Sequence, residues 1–240
     1  LFMLEIKFDV AALYHFLHSQ GLSGREDDSE LSYGVHAWLG AAFGELAPQP
    51  WRLLMDKRRP PRILGYASHD AGTFQQRLAE FAEPGTFQVC PEPESMIAGR
   101  TMPTWAKGCY LGFQTLACPI GRKAGSGIEK DLFLIHADAE ENSEGLCRET
   151  IYGNWAKERF SRHSVTVNSI RLKGFRLAKQ KRRGRSKKGK RVFRRIVCPQ
   201  ALLEGELTIG DPADFTRLLS RGMGRHRAFG YGMILLRPVP

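Results

Sequence analysis

Cysteine is sparse and scattered in this chain. Its five cysteines, Cys90, Cys109, Cys118, Cys147 and Cys198, form no C-x-x-C pair. Spacing therefore indicates neither a zinc motif nor a disulfide framework, and reduced, mostly buried thiols are expected. No run of about 18 apolar residues occurs, so no transmembrane helix is expected. The first residues show no basic segment leading into an apolar stretch, and no secretory signal is expected. H-E-x-x-H, a dense acidic cluster and a nucleophile elbow are also missing, which removes the usual signatures of metallohydrolases and serine hydrolases. Together these absences lead us to expect no metal, no cofactor and no membrane; the protein is also expected to be cytoplasmic and monomeric when isolated.

One further absence is local. Between Arg171 and Arg195 there is no Asp or Glu, while the same stretch holds 14 Lys and Arg. The chain has 36 basic and 25 acidic residues, a formal net charge of +11, so 22 basic residues face 25 acidic ones elsewhere. A single segment supplies the whole basic excess. A basic block in an otherwise slightly acidic protein points to a polyanionic partner, most often nucleic acid.

The 240 residues, 42% of them hydrophobic, fit one large domain or two of about 100–120 residues. Phe2 to Val10 alternates as a strand, and Ala11 to Leu22 is a helical stretch. Ser29 reads as the N-cap of a second helix whose apolar stripe is Leu31, Val35, Trp38, Leu39, Ala42 and Leu46. Pro48 and Pro50 end it. Arg52–Met55 and Arg62–Tyr66 read as strands, Asp70–Phe81 as a helix with Phe74, Leu78 and Phe81 inward, and Phe87–Cys90 as a fourth strand. The order repeats afterwards: a strand over Gly108–Ile120, a possible short strand at Leu132–Ile135, a helix over Arg148–Phe160, strands over Val165–Leu177 and Val192–Ile209 with a break at Pro199, a helix opened by Asp211-Pro212, and a last strand over Tyr231–Val239. The predicted class is α+β: two tandem ferredoxin-like, RRM-like βαββαβ domains, spanning 1–105 and 106–240.

Three groups of residues could carry function. The basic block over 178–195 contains Lys179, Lys181, Arg182, Arg183, Arg185, Lys187, Lys188, Lys190, Arg191 and Arg194. It reads as a hairpin tip or a short helical finger for phosphate contact, suited to the deep major groove of an RNA stem. The second group, Gly222-Met223-Gly224-Arg225-His226-Arg227-Ala228-Phe229-Gly230-Tyr231-Gly232, has the form G-x-G-x5-G-x-G. Gly222 and Gly224 would let the backbone approach a phosphate, with Arg225 and Arg227 adding charge. It does not match the dinucleotide fingerprint. Third, Tyr33 and His36 lie one helical turn apart, so their side chains can meet. Spacing alone leaves them open between a structural and a catalytic reading.

Taken in order, these residues resemble the CRISPR-associated repeat-RNA endoribonucleases of the CasE type, with divergent type IV relatives a further possibility. GMGRHRAFGYG before a final hydrophobic strand is similar to that family's C-terminal signature. Phe113–Ile120 followed by Lys123, and Ala201–Asp211, resemble its second-domain segments. Tyr33-Gly34-Val35-His36 resembles its Y-x-x-H. The resemblance implies two ferredoxin-like domains and a protein that binds the repeat stem-loop, cuts at its 3′ base and stays on the mature crRNA beside other effector subunits. It implies metal-independent attack by the 2′-hydroxyl, leaving a 5′-hydroxyl and a 2′,3′-cyclic phosphate. On that basis His36 is the general acid/base, Tyr33 its partner or a phosphate donor, and Arg25 a cation for the developing charge. The segment Ala11–Asp28 departs from the family pattern and makes His15, His18 or an arginine rivals to His36. A hairpin-binding module without activity, and a basic structural nucleic-acid-binding protein, are the alternative readings.

Overall fold

Strand β1 (Phe2–Lys7) ends where Asp9 accepts a hydrogen bond from the Ala12 amide, 2.8 Å, and so opens helix α1 (Val10–Ser19). An aspartate at the N-cap satisfies an amide that has no partner within the helix. The computed structural model describes residues 1–22, 28–56, 59–122, 129–139, 145–185 and 191–239, with the backbone alone at 28–30, 180–185 and 191–196. The chain divides into two compact units: Leu1–Pro103 with Arg227–Met233, and Thr104–His226 with Ile234–Pro240.

In the first unit α2 (Asp28–Phe43) follows α1, then β2 (Trp51–Asp56), β3 (Arg59–Ala67), α3 (Ala71–Phe81), the short helices α4 (Pro84–Phe87) and α5 (Pro93–Met96), and β4 (Ile97–Thr101). The strand order β2-β3-β1-β4, antiparallel throughout, is that of a ferredoxin-like βαββαβ fold. The helix places Ser29 inside its first turn rather than at the N-cap. Most of its expected stripe is buried: Leu31, Val35, Trp38, Leu39 and Ala42 join Leu4, Ile6, Ile63 and Ile97 in one core, while Leu46 falls past the helix in a 3-10 turn and is partly buried. A Cβ on Gly34 would stand 2.7 Å from Leu17 Cδ1, so the absence of a side chain lets α2 lie close on α1.

Two further expectations fail here. Phe87–Cys90 is not a strand, because Pro84 opens a helical turn there, as proline favours at the first helical position. Val89 and Cys90 are buried without joining the sheet. The fourth strand is Ile97–Thr101, whose sequence IAGRT buries only its first residue and so lacks the apolar alternation of a half-buried strand. Phe81, expected inward, is 66% exposed at the end of α3, with the Arg77 guanidinium 4.9 Å over its ring.

The second unit runs β5 (Tyr110–Ala117), β6 (Ile120–Arg122), β7 (Glu129–Asp131), α6 (Leu132–Ala139), α7 (Arg148–Ser161), β8 (Val165–Arg185), β9 (Arg191–Ile209), α8 (Pro212–Arg221) and β10 (Ile234–Arg237). Its sheet order β10-β5-β9-β8 is again ferredoxin-like. Asp211 caps α8 by accepting from the Asp214 amide, 2.8 Å, with Pro212 first in the helix. Along β9, Ala201, Leu203, Leu207 and Ile209 are buried in alternation, and Phe113 packs on Phe160 with ring centroids 4.9 Å apart.

Leu132–Ile135, read as a possible strand, belongs to α6. The buried Asp131 opens it by accepting from the Phe133 amide, 2.9 Å, and also accepts from Tyr152 Oη, 2.7 Å, and Arg148 Nη1, 2.6 Å. The expected break at Pro199 does not occur, and β9 continues through it. Pairing of β5 with β9 stops at Ala201, so at Pro199 the strand has only β8 beside it. A missing amide donor is tolerated where a strand lies at an edge.

Candidate functional site

His36 projects from α2 one turn beyond Tyr33. The two rings meet edge-on, centroids 6.4 Å apart, and Tyr33 is buried. Phe229, from a 3-10 turn formed by Arg227–Phe229, lies 4.7 Å from the His36 ring on a tilted plane. Burial holds the His36 imidazole below its ordinary pKa of 6.5, because desolvation disfavours the charged form. A largely neutral imidazole beside an aromatic ring accepts a proton at neutral pH. His15 and His18 stand exposed on α1. Arg25 lies outside the described residues.

The second half of the glycine motif is therefore part of the same unit as the Tyr33/His36 helix. Trp51 on β2 fastens it: its Nε1 donates to the Ala228 carbonyl, 3.1 Å, while Gly230 lies against its ring. Gly230 has φ +86°, and a Cβ there would stand 2.9 Å from Trp51 Cζ3. Glycine at this position thus lets the turn approach the indole and present Phe229 to His36. We expect Gly230→Ala to destabilise the first unit by about 2–4 kcal/mol, from the left-handed backbone and the overpacked ring together. Chemical denaturation of both proteins measures it, and an unchanged midpoint would show that the turn relaxes without cost.

The first half of the motif packs in the second unit. Gly222 caps α8, and Gly224, at φ +77°, faces the Trp155 ring, which a Cβ would meet at 3.1 Å. Arg225 pairs with Glu129 of β7, whose other carboxylate oxygen lies 3.3 Å from His226 Nε2. Arg227 begins the 3-10 turn that carries Phe229.

In its described residues the basic block follows the hairpin reading and not the helical one. It prolongs β8 and β9 into a two-stranded arm paired as far as Arg185 opposite Arg191. Lys179 is exposed on β8. Lys181, Arg182, Arg183 and Arg185 follow on the same strand, and Arg191 and Arg194 lie on β9. Lys187, Lys188 and Lys190 fall outside the described residues. The root of the arm is held from α7. Glu149 Oε1 accepts from the Leu172 amide, 2.9 Å, beside a bulge in β8, and the Arg148 guanidinium lies 4.3 Å over Phe175.

Sequence reasoning missed Phe229 as a neighbour of His36 and Trp51 as the residue that holds its turn. It also missed a group in the second unit, where Cys118, Cys198 and His226 bring their ligand atoms within 4.8 Å of one another. No spacing signal announces either grouping, since the partners are far apart along the chain. The Cys118 thiol is pushed far up by a hydrogen bond with Cys198 and by burial.

No curated protein matches the chain by sequence. Among solved structures, the fold is similar to CRISPR endoribonuclease Cse3 bound to a 19-nucleotide RNA, at TM-score 0.63 and 16% identity, covering 99% of this chain and all of that one. It is similar to Thermus thermophilus Cse3 bound to an RNA representing a pre-cleavage complex, at TM-score 0.56 and 17% identity over 99% and 98% of the two chains. Escherichia coli K-12 Cas6e superposes at TM-score 0.51 and 15% identity over the full length of both. At such identities the likeness establishes the fold. A family described as CRISPR associated protein matches residues 1–238, nearly the whole chain, and the protein therefore belongs to that family.

Proposed function

We propose that the protein is a CRISPR repeat-RNA endoribonuclease. It holds a repeat stem-loop along the basic arm and cleaves at the 3′ base of the stem without a catalytic metal. The observation that carries this reading is the enclosure of His36 by Tyr33 and by Phe229 of the glycine motif. It gives a histidine of lowered basicity on a family fold whose solved likenesses include RNA-bound Cse3. His36 takes the proton of the 2′-hydroxyl upstream of the cut. The 2′-oxygen bonds to the adjacent phosphorus, the bond to the 5′-oxygen breaks, and that oxygen takes its proton from water. Tyr33, being buried, positions the imidazole. Arg25 supplies a cation to the developing charge, and the arginines of the arm contact the phosphates of the stem. The mature RNA stays bound, and the protein joins other effector subunits, as the likeness to a chain of an RNA-guided surveillance complex suggests (TM-score 0.50).

The test is incubation with an end-labelled repeat hairpin in magnesium-free buffer containing EDTA, with circular dichroism confirming that the fold persists. A 2′,3′-cyclic phosphate end at one position is expected. Binding without any cleavage would overturn the nuclease reading in favour of an inactive hairpin-binding module. The pH profile adds a second check. A base must be neutral to act, so the rate should rise with pH and level off with an apparent pKa below 6.5. A midpoint above 6.5 would show that a less buried group limits the reaction.

A further inference from the structure

The second unit gathers a set of ligands far from one another in sequence. Cys118 follows the end of β5, Cys198 lies on β9 at the root of the basic arm, and His226 ends the first half of the glycine motif. Both cysteines are buried, the His226 side chain is 7% exposed, and the three ligand atoms lie within 4.8 Å of one another. Glu129 of β7 stands at the edge of this trio, outside the 4.8 Å set, with its Oε2 3.3 Å from His226 Nε2. His226 holds φ +60°, a backbone conformation rare for residues other than glycine, and this turn aims its ring into the group.

A tetrahedral ion fits within this spread once the three ligands draw in by a few tenths of an ångström and Glu129 swings in from beside His226 as the fourth. With Zn–S of about 2.3 Å and Zn–N or Zn–O of about 2.0–2.1 Å, the edges of the tetrahedron are about 3.8 Å between two sulfurs and about 3.3 Å between nitrogen and oxygen. We propose that Cys118, Cys198, His226 and Glu129 form a structural zinc site. Thiolates and an imidazole select a soft or borderline cation over calcium or magnesium. Four protein ligands close the coordination sphere, which marks a structural rather than a catalytic ion. The site carries charges of −1 on each thiolate and on Glu129 against +2 on zinc. Arg225, paired with the outer oxygen of Glu129, balances the remainder and orients that ligand, as outer hydrogen-bonding partners do at metal sites. The ion would tie the glycine motif, the β6–β7 hairpin and the root of the arm together.

The experiment is metal analysis of the full chain purified with a reductant and no chelator, followed by cobalt(II) titration of the metal-stripped protein. About one zinc per chain is expected to survive dialysis. Cobalt should give an intense tetrahedral visible spectrum with a thiolate charge-transfer band. Cys118→Ser and Cys198→Ser should each weaken that band. Glu129→Gln should shift the visible bands and keep the charge transfer. Cys147→Ser, at an exposed position before α7, should change nothing. Should the cysteine variants fail to fold, the cobalt spectrum of the native chain still decides. A weak octahedral spectrum without charge transfer would overturn the site. So would a Cys118–Cys198 disulfide in freshly reduced protein.

Discussion

Replacing His36 with alanine is expected to slow single-turnover hairpin cleavage by about 10²–10⁴-fold, the range that a positioned proton acceptor contributes, while hairpin affinity changes little. The expectation follows from where the ring sits. His36 is half-buried between Tyr33 and Phe229, an environment that keeps it neutral and restricts its orientation. A packing role would look different. It would make the alanine variant lose stability and affinity together, and His36→Gln, of similar size, would restore both along with the rate. If His36 is the base, glutamine restores stability alone. Phe229→Ala separates the layers further. It removes part of the enclosure, so the apparent pKa of the rate profile should move up toward 6.5 as desolvation falls. Full cleavage by the alanine variant would move the chemistry to His15, His18 or an arginine.

The same burial sets a stability term whose sign can be worked out. The folded-state pKa of His36 lies below its unfolded value of 6.5. The unfolded chain therefore binds more protons in that window, and stability falls as pH drops through it. His36→Gln should flatten this fall.

Replacing Arg182, Arg183 and Arg185 with alanine is expected to weaken hairpin binding on the order of 10²-fold near 0.1 M salt. It should also reduce the slope of log K against log salt by about 2–3, one counterion term for each lost phosphate contact. The strand register sets like-charged residues opposite one another at several positions of the arm. Lys181 stands opposite Arg195, Arg182 opposite Arg194, and Arg185 opposite Arg191. Like charges placed directly across a pair of strands destabilise it, and no acidic residue lies within the stretch to relieve them. A bound phosphate backbone would relieve them. The triple variant should accordingly be at least as stable as the parent in the absence of RNA, and less able to bind it. Unchanged affinity and slope would show that the arm makes no phosphate contacts. A loss of affinity with an unchanged slope would place the effect on arm geometry instead.

Much of the fold is legible in the residues, because burial imposes a period on them. The stripe of α2, the Asp211-Pro212 start of α8 and the alternation along β9 each encode a local preference that the tertiary structure preserves. The readings fail where local signals weaken. β4 is an edge strand with one buried residue, so its pattern carries almost no alternation. The apolar run Leu132–Ile135 is too short for periodicity to separate strand from helix, and the Asp131 cap decides for helix. Pro199 reads as a stop only if the strand has a neighbour on both sides.

Two features followed from sequence alone: the concentration of positive charge on the arm, since charge is additive and its segregation needs no coordinates, and the coarse element order of two ferredoxin-like domains. Tertiary structure alone decided what meets what. Phe229 reaches His36 across nearly the whole chain because Trp51 holds the glycine turn, and Cys118, Cys198 and His226 converge because the end of β5, the middle of β9 and a turn meet at one place. Such contacts arise from chain crossings between distant segments, and the residues involved carry no periodicity or spacing that could announce them.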